Sequence, residues 1–170
     1  MPLLRMRDGQ RLFVRDLGRG SPVMLVHGFA SDGTSWLPFL APFLRRHRFI
    51  VPDLRGFGQS HALPFSDACA LSQYARDLGD VLQALSLERC ALVGISMGAL
   101  SSVQAFELGE AARIDRYLHV DQGPVIHNGP DYAHGLLGPL QESFFRELSA
   151  LLDELEREHM SKPWPAVPAS

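Results

Sequence analysis

The fold of this chain is decided by the stretch Val93-Gly94-Ile95-Ser96-Met97-Gly98-Ala99. It continues an apolar run that starts at Cys90 and leads into a stretch of helical character, so it predicts a strand, a very tight turn and a helix with one serine at the tip. The glycines two positions before and after the serine suit the cramped backbone of such a turn. The pattern G-x-S-x-G is that of a nucleophile elbow, which exposes the serine hydroxyl and aims the next backbone N–H at a developing oxyanion. Because glycines also flank serines in ordinary loops, the motif depends on its context.

That context is a chain in which apolar strands alternate with helices. Val23-Met24-Leu25-Val26 is the uninterrupted apolar run that a strand buried on both faces needs, and Asp8-Gly9 predicts an antiparallel hairpin near the amino terminus. The spacing predicts strands over 3–7, 11–16, 23–26, 49–51, 90–93 and 114–120, and helices over 35–46, 71–85, 97–108 and 136–158. This order predicts an α/β fold with a mostly parallel sheet flanked by helices. The aromatic residues of the 35–46 segment, Trp36, Phe39 and Phe43, recur at helical spacing and are predicted to be core.

Several polar residues follow directly after predicted strands. His27-Gly28-Phe29, Asp53, Ser96 and Asp121 all fall at such carboxyl ends, where parallel sheets bind their ligands. Because these residues share this position, the G-x-S-x-G pattern becomes a strong indication of a nucleophile elbow. Asp53 and Arg55 are neighbours of opposite charge in a glycine-rich loop, and we expect them to hold that loop by pairing with each other and with backbone.

Composition limits the classes of partner. The chain has 170 residues, 46% of them hydrophobic, and a net charge of −3 with a pI near 6.1, which fits a globular protein without affinity for nucleic acid or acidic membrane surfaces. The basic cluster Arg45-Arg46-His47-Arg48 is interpreted as solvated surface. Cys69 and Cys90 are predicted to be two reduced thiols and no metal site. An amino terminus charged from Arg5 onward and the lack of a membrane-length apolar run predict a cytoplasmic protein.

Three blocks of sequence together resemble the α/β-hydrolase family over about the first 125 residues. They are Leu25-Val26-His27-Gly28-Phe29, Asp53-Leu54-Arg55-Gly56-Phe57-Gly58-Gln59-Ser60 and Gly94-Ile95-Ser96-Met97-Gly98. The resemblance implies that Ser96 is the nucleophile, that the backbone N–H groups of Phe29 and Met97 form the oxyanion hole, and that His27 steadies the oxyanion loop. It also implies a small-molecule substrate and no cofactor. By the same resemblance, residues 1–124 form the amino-terminal part of the hydrolase core, and residues 125–170 begin a helical cap and end in a proline-rich tail.

The rest of the catalytic triad departs from the family pattern. A serine needs a base to take its proton, and in this family the histidine follows the last strand. None of the histidines after the elbow, His119, His127, His134 and His159, follows a further core strand. Asp121 is a weak candidate for the acid, because some members draw it from the end of the strand after the elbow. We therefore expect this sequence to be the amino-terminal part of a longer hydrolase.

Three functions remain open at this point. The first is a serine hydrolase that cleaves an ester or related acyl bond through a Ser96 acyl-enzyme. The second is cofactor-free carbon–carbon hydrolysis or haloperoxidase-type perhydrolysis on the same scaffold, and the third is a truncated chain without turnover. The outer edge of strand 114–120 and an apolar stripe on the 136–158 helix also predict self-association. The stripe consists of Leu137, Leu140, Phe144, Leu148, Leu151 and Leu155.

Overall fold

A computed structural model describes residues 3–123, 127–132, 135 and 138–161. The chain divides into two compact units, Met1–Gln122 and Gly123–Ser170. The first contains strands β1 (Leu3–Arg5), β2 (Arg11–Gly18), β3 (Ser21–Val26), β4 (His47–Pro52), β5 (Cys90–Ile95) and β6 (Ile114–Val120). Its helices are α1 (Leu37–Leu40), α2 (Ala70–Ala84) and α3 (Met97–Glu107), with 3₁₀ turns at Gly33–Trp36, Ala41–Phe43 and Gly58–Ser60. The second unit contains a 3₁₀ turn at Gly138–Leu140 and helix α4 (Gln141–Ser161).

The six strands form one sheet in the order β1-β2-β4-β3-β5-β6. The predicted hairpin is present, since β1 pairs antiparallel with β2 and Gly9 takes a positive φ of 85° at its turn. β2 pairs antiparallel with β4, whereas the β3–β4, β3–β5 and β5–β6 pairs are parallel. The predicted fold class is confirmed: a mostly parallel α/β sheet in which β5, the strand before Ser96, lies between β3 and β6.

Alternating side chains of the strands supply two apolar cores, one on each face of the sheet. Met24 and Val26 of β3 face the larger core, which includes Leu78 and Val81 of helix α2. Leu25, between them in sequence, faces a smaller core with other side chains. These residues are buried, as expected for a central strand covered on both faces.

The prediction of one continuous helix over 35–46 is wrong. The segment is broken into a 3₁₀ turn, the single turn α1 and another 3₁₀ turn. Pro38 and Pro42 each remove a backbone N–H donor, so a continuous ladder of helical hydrogen bonds cannot form. As a result the aromatic residues do not share one buried face: Phe39 is 67% exposed and Phe43 is 50% exposed. The prediction that they are core is wrong for both.

Helix α4 begins later than the sequence pattern predicts. Gly138 has a positive φ of 50°, outside the helical region, and Pro139 follows it, so the regular helix starts at Gln141. The apolar side chains Phe144, Leu148 and Leu151 of this helix are exposed, as is Leu140 in the turn before it, and the side chain of Leu155 is not described. Leu137 and the proline-rich tail lie outside the described residues, and the predicted self-association stays a prediction. Within the described part of the chain, no helix has the length and apolar character needed to cross a bilayer.

The two cysteines differ in a way that alkylation can measure. Cys69 is exposed at the start of α2, and hydrogen bonding to Ser72 lowers the pKa of its thiol. Burial raises the pKa of the Cys90 thiol to about 11. Because the thiolate is the reactive form, we expect iodoacetamide to modify Cys69 in the folded chain and Cys90 only after denaturation. Peptide mass spectrometry before and after urea treatment measures this, and early modification of Cys90 would contradict the packing of β5.

Candidate active site

Ser96 sits on a strained turn between β5 and α3. Its φ and ψ of 52° and −121° lie in a region that side-chain-bearing residues rarely adopt, at a cost on the order of 1–3 kcal/mol. The turn is held by the Ser96 N–H, which donates to the Val120 carbonyl at 2.9 Å, and by the Ser96 carbonyl, which accepts from Ala99 at 2.9 Å. The hydroxyl of Ser96 makes no hydrogen bond to any described residue. The fold therefore holds the backbone firmly and leaves the hydroxyl available.

Three glycines make this turn sterically feasible. A Cβ at Gly94 would lie 2.6 Å from the Gly98 carbonyl oxygen, and a Cβ at Gly98 would lie 2.6 Å from the His27 carbonyl oxygen. A Cβ at Gly28 would lie 3.2 Å from the Cβ of Ser96. The loop after β3 thus passes directly beside the serine, which explains why glycines occupy all three positions.

Within the part of the chain that the structure describes, both predicted oxyanion donors lack a hydrogen-bond partner. Neither the Phe29 N–H nor the Met97 N–H donates a hydrogen bond to a described residue. Met97 is the first residue of α3, where backbone N–H groups have no partner inside the helix. Phe29 follows Gly28, which contacts the Ser96 turn. The Met97 donor therefore follows Ser96 in sequence, and the Phe29 donor lies in the loop that passes beside it. Their role as an oxyanion hole stays a prediction.

His27 fixes the loop that carries Phe29. The ring is fully buried, and its Nε2 accepts from the Leu54 N–H at 3.0 Å, so the proton resides on Nδ1, which donates to the Gly28 carbonyl at 2.8 Å. The carbonyl of Gly28 and the N–H of Phe29 belong to one planar peptide and point in opposite directions. Fixing the carbonyl therefore fixes the direction of the Phe29 N–H. This agrees with the interpretation of His27 as a residue that steadies the loop, because both ring nitrogens are engaged.

The buried state of His27 predicts a pH dependence of stability. Burial lowers the pKa of His27 below the ordinary 6.5, so the unfolded chain binds a proton that the folded chain resists. The free energy of unfolding should therefore fall as the pH drops through about 6.5 toward the lower folded pKa, by at most about 1.4 kcal/mol per pH unit. Urea unfolding across this range measures it. His27→Gln should remove this contribution, whereas the exposed-site control His61→Gln should keep it; equal pH profiles in all three would refute the assignment.

Asp53 and Arg55 both hold the loop after β4, but they do not pair with each other as predicted. The buried Asp53 carboxylate accepts from Arg15, from the Gly33 N–H at 2.8 Å and from the Gln59 N–H at 2.8 Å. The fully buried Arg55 instead donates from Nε and Nη2 to Asp77, at 2.7 and 2.8 Å. Although only Leu54 separates the two charges in sequence, each is held by partners from other elements. Both partners come from distant elements that the local pattern could not indicate.

Ser96, Phe29 and Asp121 line one cavity of about 350 Å³ at the carboxyl ends of the strands. Its remaining lining is largely aromatic or hydroxylic: Gly28, Ser31, Ser35, Trp36, Phe39 and Ile95. Trp36 and Phe39 were not predicted as site residues, because their helical spacing was interpreted as a core pattern. Pro38, between them, and Pro42, after Phe39, were the signal that this segment is not a regular core helix.

Of the two other members of a catalytic triad, the acid has one candidate near Ser96, and no histidine in residues 3–123 hydrogen-bonds Ser96 as its base. Asp121 follows β6 with a positive φ of 53°, lines the Ser96 cavity and is exposed. No histidine in residues 3–123 hydrogen-bonds Ser96, and both ring nitrogens of His119 are engaged, with Tyr117 and with the Gln122 carbonyl. In the second unit His127 contacts the Phe145 ring. His134 lies outside the described residues, and the side chain of His159 is not described. No group of three or more metal-ligating side chains occurs among the residues that the structure describes.

Comparison with known proteins identifies the architecture. Residues 21–145 match the family model for the alpha/beta hydrolase fold. The chain is 37% identical over 99 residues to a non-heme chloroperoxidase from Kitasatospora aureofaciens, which covers 58% of this chain and 35% of that protein. It is 36% identical over 106 residues to the 2-hydroxy-6-oxo-2,4-heptadienoate hydrolase of Pseudomonas putida, covering 61% of this chain and 38% of that enzyme.

A solved structure extends the comparison to an esterase. The thermophilic esterase from Thermogutta terrifontis superimposes with a TM-score of 0.64 at 30% identity, over 76% of this chain and 47% of that one. The chain therefore spans less than half the length of each of these three proteins. The names of the matched proteins cover three different reactions on one fold.

Proposed function

The chain belongs to the α/β-hydrolase family, and from that premise we propose that it acts as a serine hydrolase on an ester or related acyl bond, with Ser96 as the nucleophile. One observation carries the proposal. The Ser96 backbone is held in a strained conformation while its hydroxyl faces no competing hydrogen bond among the described residues. Strain of this kind is characteristic of sites where a side chain must be presented to a substrate.

The proposed reaction has two stages. Ser96 Oγ attacks the acyl carbon, the hydroxyl proton passes to a base, and the carbonyl oxygen becomes an oxyanion that accepts from the Phe29 and Met97 N–H groups. The alcohol then leaves with a proton, and water cleaves the Ser96 ester to release the acid. Each oxyanion donor contributes on the order of 3–4 kcal/mol to transition-state stabilisation. Because these donors are backbone groups, replacing the Phe29 side chain should affect turnover far less than replacing Ser96.

The proposed reaction needs an acid and a base to move the Ser96 proton. Asp121 lines the same cavity as Ser96, so it is the candidate acid within this chain. The base that takes the Ser96 proton is proposed to be a histidine of the whole protein. The histidines of the first unit are disfavoured for this role because none of them contacts Ser96 by a hydrogen bond.

The cavity lining supports an apolar acyl group of modest size. Phe29 and Trp36 line it together with Phe39, whose ring is 67% exposed. Aromatic walls favour apolar ligands, and a volume of about 350 Å³ is near the lower limit for small-molecule sites. Short-chain activated esters are therefore the first substrates to test.

A second candidate is supported by the names of the relatives. Perhydrolysis and carbon–carbon hydrolysis use the same nucleophile and oxyanion donors, so the first unit is compatible with all three reactions. A panel of a short-chain ester, acetic acid with hydrogen peroxide, and a vinylogous diketone distinguishes them when product formation is compared between wild type and Ser96→Ala. Ester turnover that depends on Ser96 supports the first proposal. If Ser96-dependent turnover is seen with only one of the other two substrates, that reaction replaces ester hydrolysis as the proposed function. If no substrate gives a Ser96-dependent product, the result counts against both candidate functions.

A further inference from the structure

A second cavity lies at the opposite end of the strands from Ser96. It has a volume of about 380 Å³ and is lined by the residues at the amino ends of the central strands, including Ser21 of β3, His47 of β4 and Cys90 of β5. Ser96 follows the carboxyl end of β5, which has six residues, so the two cavities are about 20 Å apart along the strand. Its charged side chains have no part in the proposed hydrolysis.

Among the described residues, the charges in this cavity leave one cation without a partner. Arg89 donates to Asp115 from Nε at 3.1 Å and from Nη2 at 2.7 Å, so these two charges neutralise each other. Arg116 also lines the cavity, and its side chain makes no hydrogen bond or ion pair with a described residue. The cavity therefore has a net positive charge carried by a guanidinium whose five donors are all available.

A β-bulge places these charges together. In the β5–β6 ladder Cys90 pairs with Ile114 and Ala91 pairs with Arg116, which leaves Asp115 as an extra residue. Bulges are rare in parallel pairs, and they redirect side chains near functional sites. Without the bulge, consecutive residues of β6 would point to opposite faces of the sheet. With it, Asp115 and Arg116 both line the cavity.

His47 adds a second unpaired polar group. Its Nδ1 is buried and has no hydrogen-bond partner among the described residues, although the ring lines the cavity and packs against Phe49 at 5.9 Å between centroids. A buried polar atom without a partner is destabilising, so native structures rarely keep one without a reason. A small rotation of the ring toward a bound anion would give this nitrogen a partner.

We propose that this cavity binds a small organic anion that carries a single carboxylate or phosphate group. The planar fork of Arg116 holds two oxygens of the anion, and His47 turns to donate to the same group. Pro22, Val23 and Ala91, which also line the cavity, contact the apolar part of the ligand. This proposal does not rest on the function of Ser96, because the two sites share no residue.

Titration of the 170-residue chain with three probes tests the proposal. Inorganic phosphate, butyrate and uncharged butanol are added at millimolar concentrations while backbone amide shifts are followed by NMR at constant ionic strength. We expect saturable shifts at His47, Ala91 and Arg116 with phosphate or butyrate and none with butanol. The anion that saturates at the lower concentration identifies the preferred group. If neither anion gives saturable shifts at these residues, the proposal is wrong.

Variants distinguish specific anion binding in this cavity from general attraction between opposite charges. Arg116→Gln should weaken anion binding about tenfold or more, and Arg116→Lys should restore part of it because a point charge remains without the fork. The matched control is Arg5→Gln, which removes an exposed arginine from β1 at the other edge of the sheet. Equal weakening by Arg5→Gln and Arg116→Gln would overturn the site, as would unchanged binding in Arg116→Gln. An unchanged melting temperature confirms that the variants are folded.

Discussion

Replacing Asp77 with Ala is expected to lower the free energy of unfolding by about 3–5 kcal/mol. Asp77 and Arg55 are both almost fully buried, and the carboxylate accepts two hydrogen bonds from the guanidinium. Removing the carboxylate leaves a buried cation that, among the described residues, retains the Pro64 carbonyl and Asp8 as partners. Because Leu54, beside Arg55, donates to the ring of His27, the loop that carries Phe29 should also loosen.

Urea unfolding of the 170-residue chain measures this effect, with Asp16→Ala as the matched control. Asp16 also accepts two hydrogen bonds from an arginine, Arg48, but the side chains of that pair are 24% and 32% exposed. Solvent screens such a pair, so the control should cost about 1 kcal/mol or less. Equal losses in the two variants would mean that burial of the Arg55–Asp77 pair does not determine its contribution.

Where a histidine takes the Ser96 proton, replacing Ser96 with Ala should lower ester turnover by about three orders of magnitude or more, since the covalent step is lost. No histidine of the first unit hydrogen-bonds Ser96, so we expect slow turnover in the 170-residue chain and a rise when imidazole is added as an external base. The rise should occur in wild type and not in Ser96→Ala. The control is Ser86→Ala, an exposed serine that also has a positive φ, of 50°.

Two results would change this account. Imidazole-stimulated turnover that is the same in wild type and Ser96→Ala would exclude Ser96 as the nucleophile. Fast turnover without imidazole would mean that a histidine of this chain already reaches Ser96. Replacing His127, His134 and His159 one at a time would then identify it.

The local parts of the fold could be predicted from the sequence. The elbow and the apolar run of β3 are encoded by contiguous residues, and the strand over 114–120 is observed with the predicted bounds. The placement of His27, Ser96 and Asp121 at strand ends follows from the same local patterns, because parallel strands end at one edge of the sheet. Helical spacing failed over 35–46 because proline chemistry outweighs periodicity there.

The tertiary pairs could not be predicted. Arg15 and Asp53 are 38 residues apart in sequence, and Arg55 and Asp77 are 22 apart, so no short window contains both partners. The bulge at Asp115 is invisible in the sequence as well, because it depends on the register between β5 and β6. The basic cluster was interpreted as solvated surface, yet His47 within it has a buried, unpaired Nδ1.

The most direct test of the central claim is the site of covalent labelling by a fluorophosphonate. The probe is incubated with the chain in the presence of imidazole, and the modified residue is located by peptide mass spectrometry in wild type, Ser96→Ala and Ser86→Ala. If Ser96 is the nucleophile, the label lies on Ser96 in wild type and in Ser86→Ala and is absent from Ser96→Ala. Label on a different serine, or label that persists in Ser96→Ala, would contradict the assignment of Ser96 as the nucleophile.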